Sequence, residues 1–269
     1  MVLLCLVFTL ESFFKFAFSI AQNLGSQIAD WQKKIIVKTG SKGQLIVDST
    51  NKYGLNPKDF CSNPATNSDR SQPVHPKVLY LVLSNHTSIE ATMRESIRST
   101  WSTDVNKTLS DNHVVLFFLG KGGRLKQNVK LNSKLVKREK IIEEGSIYKD
   151  IVTTDVDEFD PQYHIKQTFA MLSWMYKYCQ LARFVVKTTS NTYVNLNTLE
   201  KFADQEMFAA NRIYGSILKR RIPDRRADAL HYISEEEWPW GYFPPFLREP
   251  SFVVSGDVVP RLLLGSFHL

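Results

Sequence analysis

Two short, unbroken apolar runs limit this chain more than any other feature. Val78–Leu83 is closed off by Pro76 before it and Asn85 after it, and Val114–Leu119 by Gly120 and the Gly122-Gly123 pair. Neither run alternates polar with apolar residues, and each is shorter than a buried helix. A strand buried on both faces reads this way, and parallel sheets covered by helices on both sides are built from such strands.

The segments between and after these runs supply the helices. Ser88–Trp101 is predicted to be a helix with Ser88 as its N-cap, and Leu125–Glu144 a second, highly charged one. Tyr148–Thr153 reads as a third strand, and Gln162–Tyr178 as an amphipathic helix rich in aromatic residues. Asp160 ahead of Pro161 is the natural cap for that helix, since proline suits the first helical position. Phe184–Lys187 follows as a strand, Thr198–Phe208 as a helix and Arg212–Leu218 as a strand. Trp101, Trp174 and Phe169 are expected in the core. Alternating strands and helices imply a mostly parallel α/β sheet with helices on both faces. In such sheets the ligand lies beyond the carboxyl ends of the strands. That places attention on Ser84–Asn85, Gly120–Lys121, Thr154–Asp157 and Thr188–Asn191.

The chain divides into an apolar segment at 1–22, an irregular stem at 23–76 punctuated by Asn56-Pro57, Asn63-Pro64, Pro73 and Pro76, and a main domain at 77–269. Val2–Ile20 is predicted to be helical, having no Pro or Gly, and is close to the ~20 residues that cross a bilayer. No basic residue precedes it, whereas Lys33, Lys34, Lys38 and Lys42 follow, which argues against a cytosolic N-terminus. The net charge of +7 is compatible with nucleic acid or with anionic phosphates. The basic residues are scattered, however, and no recognition helix or zinc-finger spacing accompanies them, so no nucleic-acid partner is expected. Cys5 lies in the apolar segment, leaving Cys61 and Cys179 as the one available bridge. An isolated pair constrains nothing, and two unrelated free thiols is the preferred reading. Sequons occur at Asn85-His86-Thr87 and Asn106-Lys107-Thr108. Asn106 is the favoured glycosylation site, because a glycan on Asn85 would obstruct the predicted crevice.

Several motifs stand in order along this frame. Arg94-Glu95-Ser96-Ile97-Arg98-Ser99-Thr100-Trp101 resembles the R-x-x-I-R-x-T-W signature of the beta-1,3-galactosyl/N-acetylglucosaminyltransferases, and Val114–Gly120 their V-x-x-x-F-x-x-G strand. Glu144, then Tyr148-Lys149-Asp150-Ile151 with Asp155, Asp157, Asp160, Tyr163, Lys166 and Thr168, resembles their acidic E-x-x-x-Y-x-D-I segment and its continuation. Lys187-Thr188 and Tyr193-Val194-Asn195 flank the place of their K-x-D-D-D-x-F-V-N, and Phe243-Pro244-Pro245-Phe246 to Asp257 keeps the spacing of Y-P-P-Y…S-x-D. Each piece is weak alone, and their collinearity from about Val78 to Leu262 makes the set specific.

The resemblance implies a GT-A type fold with UDP-galactose or UDP-N-acetylglucosamine as donor, a glycan acceptor on protein or lipid, and inversion at the anomeric carbon. It also implies a single-pass type II Golgi membrane protein with a lumenal domain, an orientation opposite to the one that the lysine distribution favours. The family's Mn²⁺ offsets the charge of the departing diphosphate, and a carboxylate deprotonates the acceptor hydroxyl. Arg94, Arg98, Asp157, Lys187 and Asn191 are the candidate donor-binding residues. Arg94 and Arg98 lie four apart on one helical face, and the alternative for them is an ordinary solvated face.

Three departures qualify this. Thr189-Ser190-Asn191 stands where the family carries three aspartates, so no metal ligands are assigned. Glu249-Pro250-Ser251 replaces small glycines, and Pro250 forbids conformations that glycine allows. No counterpart of the C-terminal E-D-V motif occurs before Leu269, so no catalytic base is assigned, and Asp257 is expected to be structural. Two expectations follow: a hexosyltransferase by descent with weakened catalysis, or an inactive relative that binds a glycan or a partner.

Overall fold

The computed structural model describes residues 51–57, 61, 76–103, 113–122, 136–160, 162–229 and 232–265, with the backbone of two strands at 35–39 and 45–49. The expected apolar helix at 1–22 and the sequon at Asn106 lie outside the described residues.

The strands are β1 (Ile35–Thr39), β2 (Leu45–Ser49), β3 (Val78–Leu83), β4 (His113–Lys121), β5 (Ile151–Asp157), β6 (Phe184–Thr189), β7 (Ile213–Leu218) and β8 (Phe246–Ser255). The helices are α1 (Ser88–Ser99), α2 (Arg138–Tyr148), α3 (Tyr163–Tyr178), α4 (Leu196–Gln205) and α5 (Val259–Gly265). One six-stranded sheet runs β5-β4-β3-β6-β8-β7; the first four strands are parallel, and β8 is antiparallel to both neighbours.

The two apolar runs are β3 and the heart of β4, and the alternation hidden in them sorts the core into two layers. Leu79, Leu81 and Leu83 pack with Leu116, Phe118 and residues of α3 and α5. Val78, Tyr80 and Val82 pack with Phe117, Leu119 and residues of α1, α2 and α4. All six side chains of β3 are buried, which is why the run carries no polar position. The α/β class and its helices on both faces therefore follow from the pattern as expected.

Several boundaries differ from expectation. Thr87, in extended conformation, caps α1 in place of Ser88, accepting from the Glu90 amide. Residues 125–135 of the expected long helix lie outside the described residues, and α2 continues through Tyr148. Lys149 at φ 56° then ends α2 in the left-handed region, so Tyr148 is helical and the next strand starts at Ile151. Asp160 does not cap α3: its Oδ1 accepts from Gln162, one residue short of the helix.

The stretch 23–76, expected to be irregular, contains the antiparallel pair β1–β2, and β2 lies against α3 and α5. Tyr53–Leu55 adds bonds along the outer edge of β5, Gly54 donating to the Thr153 carbonyl at 3.0 Å and Thr153 donating to that of Leu55 at 3.1 Å. An open sheet edge invites mispairing, and this segment shields it. Cys61 and Cys179 form a disulfide with Cα atoms 5.1 Å apart, correcting the preference for free thiols. Their separation of 118 residues is closed only by the fold.

Candidate active site

The chain passes from β3 outward to β4 and β5, then returns to the other side of β3 as β6. The order therefore reverses between β3 and β6, and a crevice opens beyond the carboxyl ends of strands at such a point. A cavity of about 400 Å³ lies there, lined by Leu83–Asn85, Thr87, Glu90, Glu158, Phe159, Tyr163, His164 and Thr189–Asn191. That volume is in the range for small-molecule sites.

Glu158 is a nearly buried wall of this cavity. It accepts from the His86 backbone at 3.1 Å, from the Gly120 amide at 3.0 Å, and pairs with His86 Nδ1 at 2.7 Å. Tyr163 donates its hydroxyl to the Ser84 carbonyl at 2.8 Å and receives the Gly120 amide at 3.2 Å. Burial, with help from Glu158, pushes that phenol well above its ordinary range, so it stays a donor. Gly120 has to be glycine: a Cβ there would sit 2.5 Å from the Val156 carbonyl and 2.7 Å from the Tyr163 ring. Glu90, in the first turn of α1, accepts from the Ser84 hydroxyl at 2.9 Å and from the Ser190 hydroxyl.

The candidate donor-binding residues take different places. Asn191 lines the cavity, its Oδ1 accepting from the Thr189 hydroxyl at 2.5 Å. Asp157 is exposed at the end of β5, holds the Phe159 amide at 2.9 Å and is not among the lining residues. Arg94 is fully buried behind the wall. Its guanidinium forks onto Glu144 at 2.8 and 2.7 Å and also donates to Ser84 Oγ at 2.9 Å and the Asn85 carbonyl at 3.0 Å. Arg98 forks onto Asp150 at 2.7 and 2.9 Å, meets Glu144 at 2.8 Å and lies over the Tyr148 ring at 4.0 Å. Lys187 is fully buried and turns toward β8, where Nζ meets Glu249 at 3.1 Å and the Pro250 carbonyl at 3.3 Å. The charges of Arg94, Arg98 and Lys187 are engaged by acidic partners, and none of the three is among the residues that line the cavity.

Burial would raise Glu144, but Arg94 and Arg98 outweigh it and hold the carboxyl below its usual range. Asp150 is pushed up, because burial there exceeds what Arg98 restores. The glutamate of Glu249-Pro250-Ser251 thus partners Lys187, while Ser251 meets the Thr188 hydroxyl at 2.8 Å. Pro250 is tolerated because β8 bulges there: Phe252 pairs with Gly215 and Leu247 with Ile217, which leaves 248–251 outside the ladder. Asp257 receives the Asn211 amide at 2.7 Å, the structural role expected of it. Asn85 is half-buried in the cavity wall, its Oδ1 taken by the Thr87 amide.

The donor set does not fit Mn²⁺. Thr189, Ser190 and Asn191 offer neutral oxygens, Glu158 is engaged on both oxygens, and among the described residues no group of three or more His, Cys, Asp or Glu could hold a metal ion. Glu90 and Glu158 escaped the sequence reading. The available signal for Glu90 was its place four residues before Arg94 and seven before Ile97, on the buried face of α1.

The mostly parallel six-stranded sheet with its crevice at this switch point is consistent with a GT-A type fold. The profile described as "Galactosyltransferase" matches residues 92–269, and the chain belongs to that family. It is 24% identical over 205 residues to beta-1,3-galactosyltransferase 5 of Pan troglodytes, covering 76% of this chain and 63% of the relative. It is 27% identical over 205 residues to UDP-GalNAc:beta-1,3-N-acetylgalactosaminyltransferase 1 of Rattus norvegicus, covering 76% and 58%. Beta-1,3-galactosyltransferase 1 of Mus musculus is 26% identical over 196 residues, covering 72% and 55%. The chain thus spans between 55% and 63% of the length of these three relatives.

Proposed function

We propose that the protein is a hexosyltransferase of glycan synthesis, moving galactose or N-acetylglucosamine from its UDP-sugar in beta-1,3 linkage, with inversion, onto a glycan acceptor on protein or lipid. Its setting would be the Golgi membrane, with a type II anchor at 1–22, the domain at 77–269 in the lumen, and Asn106 ahead of Asn85 as the glycosylated position. The observation that carries this reading is the cavity at the β3/β6 switch point, whose lining from Glu158 to Asn191 falls within the residues that the family profile matches. The names of the relatives support the linkage and the class of donor.

The hydroxyls of Ser84, Thr87, Thr189 and Ser190 suit a sugar ring. Neither Lys nor Arg is among the lining residues to offset a diphosphate. A leaving group that gathers negative charge needs an opposing charge in place beforehand. Transfer is therefore slow and independent of Mn²⁺. A second reading, glycan recognition without turnover, is favoured by Thr189-Ser190-Asn191 at the place of the family's aspartates. The deciding assay is transfer from UDP-galactose and UDP-N-acetylglucosamine with Mn²⁺ or with chelator. Low turnover that ignores chelator supports the first reading, and no turnover supports the second. Fast turnover abolished by chelator would overturn both.

A further inference from the structure

The connection from β7 to β8, residues 219–245, opens at the same end of the sheet as the cavity. β8 runs antiparallel to both β6 and β7, so the end of β7 and the start of β8 lie beside the carboxyl end of β6. Ser251 and Glu249 of β8 meet Thr188 and Lys187 there, and the cavity lining at Thr189–Asn191 follows directly. With strands ~4.8 Å apart, β7 stands roughly 10 Å from β6, so a chain of a few sugars reaches from this connection to the cavity.

The connection is held rigid from within. The Arg225 guanidinium donates to the carbonyls of Ile233 at 2.8 Å, Ser234 at 2.5 Å, Trp238 at 2.5 Å and Trp240 at 3.3 Å. Trp238 is buried, meets the Trp240 ring edge-on at 4.5 Å and donates its indole N–H to the Tyr242 carbonyl at 3.1 Å. The Phe243 amide donates to the Arg221 carbonyl at 2.7 Å, which fastens this aromatic turn to the residues that follow β7.

Two kinds of side chain are left in solvent on this frame. Trp240 and Tyr242 are 59% and 58% exposed although the backbone around them is pinned. Lys219, Arg220 and Arg221 are exposed, and none has an acidic partner among the described residues. Arg220 takes the left-handed φ of 51°, uncommon for a residue with a side chain and met most often at functional sites. Of the acids in the same connection, Asp224 pairs with Arg226 at 2.7 Å and Glu237 accepts from the Ser234 amide at 2.7 Å, while Asp228, Glu235 and Glu236 face solvent. The residues joined by the Arg221–Phe243 bond, 219–221 and 242–243, carry only positive charge.

A rigid aromatic ring left in water suits the apolar face of a sugar, offering a large contact area at little entropic cost. A guanidinium suits a carboxylate or sulfate, which it grips with two parallel bonds. Continuity with the cavity makes a glycan the fitting occupant, since sugars lying on this surface lead to the sugar site. We propose that residues 219–245 dock an acidic glycan acceptor: Trp240 and Tyr242 stack on its sugar rings, and Lys219, Arg220 and Arg221 pair with its carboxylate or sulfate groups. This rests on the reading of the chain as a glycan hexosyltransferase and names the acceptor class for it.

The test is isothermal titration of the full chain, at moderate salt, with a sulfated chondroitin hexasaccharide and with a neutral N-acetylglucosamine oligomer of equal length. The wild type should bind the sulfated glycan ~10-fold or more tightly than the neutral one. Lys219→Gln combined with Arg221→Gln should abolish that preference and leave the neutral glycan unchanged. Arg138→Gln combined with Lys201→Gln, an equal loss of charge on α2 and α4, should leave the preference intact. Trp240→Ala should weaken both glycans by ~10-fold. If Trp240→Ala does not fold, the two charge pairs decide. Equal affinity for the two glycans, or a preference that falls as much with the α2 and α4 pair, overturns the proposal. Tighter binding to phosphatidylserine vesicles or to polyuridylate, lost with Lys219 and Arg221, also overturns it and assigns the surface to a membrane or a nucleic acid. Glycan binding with the expected dependences and no transfer from UDP-sugars removes only the transferase reading. Transfer to a neutral acceptor whose KM ignores Trp240→Ala removes only this surface.

Discussion

Replacing Arg94 by alanine should be the most damaging single change to the main domain. The guanidinium is fully buried and makes four hydrogen bonds: two to Glu144, one to Ser84 and one to the Asn85 carbonyl. Breaking one side of a buried ion pair costs about 3–5 kcal/mol, because the remaining charge is left without its partner. Glu144 keeps Arg98 at 2.8 Å, which places the expected loss near ~3 kcal/mol on that scale. For a domain of this size each kcal/mol lowers Tm by about 2–4 °C, so a fall of roughly 6–12 °C is expected. The assay is thermal unfolding of wild type, Arg94→Ala, Glu144→Ala and the double variant at neutral pH. The double variant should lose less than the sum of the singles, since the two changes remove one interaction. Arg94→Lys should recover little, because an ammonium cannot fork onto a carboxylate. A drop below 2 °C for Arg94→Ala, or strict additivity, would refute the view of Arg94 as the clamp behind the cavity wall.

Other substitutions probe separate parts of the fold. Gly120→Ala pushes a methyl into the Val156 carbonyl, the Tyr163 ring and Glu158. It should cost about 1–3 kcal/mol in urea unfolding and weaken sugar binding through the displaced wall. Replacing both Cys61 and Cys179 by serine opens a link across 118 residues, and a loss of about 2–5 kcal/mol is expected in denaturant unfolding. His113, the first residue of β4, is held down by burial against a partial lift from Glu200, with Lys77 and Asp204 further out and Tyr80 Oη at 2.9 Å from Nδ1. The unfolded chain therefore binds this proton more readily, and stability should fall as pH drops below about 6.5. His113→Gln should flatten that slope in a pH series of melting curves; an unchanged slope would show that other groups set it.

The fold was legible because β3 and β4 are unbroken apolar runs whose odd and even residues serve opposite layers. The end of the sheet at which the crevice opens followed from the parallel strands, but of the four strand ends singled out only those of β3 and β6 line it. Less could be read about which partners each charge meets. Arg94 and Arg98 resemble phosphate ligands locally, yet the carboxylates that claim them lie 50 and 52 residues away. Glu90 went unread because its partner Ser190 lies a hundred residues on in the chain. The cysteine pairing was hidden for the same reason, since only the seating of residues 51–57 on β5 and α3 brings Cys61 toward Cys179. The Thr87 cap was missed by one residue because Thr87 and Ser88 are both good caps, and the choice falls to backbone angles.

The central claim is that the cavity keeps a sugar site while lacking the charges that hold a nucleotide diphosphate through a metal. Isothermal titration of the protein with UDP-galactose, in the presence and absence of Mn²⁺, addresses it directly. The expected result is weak binding that Mn²⁺ leaves unchanged within experimental scatter. A gain of tenfold or more on adding Mn²⁺, reversed by chelator, would contradict it and require carboxylate ligands other than those around Thr189-Ser190-Asn191.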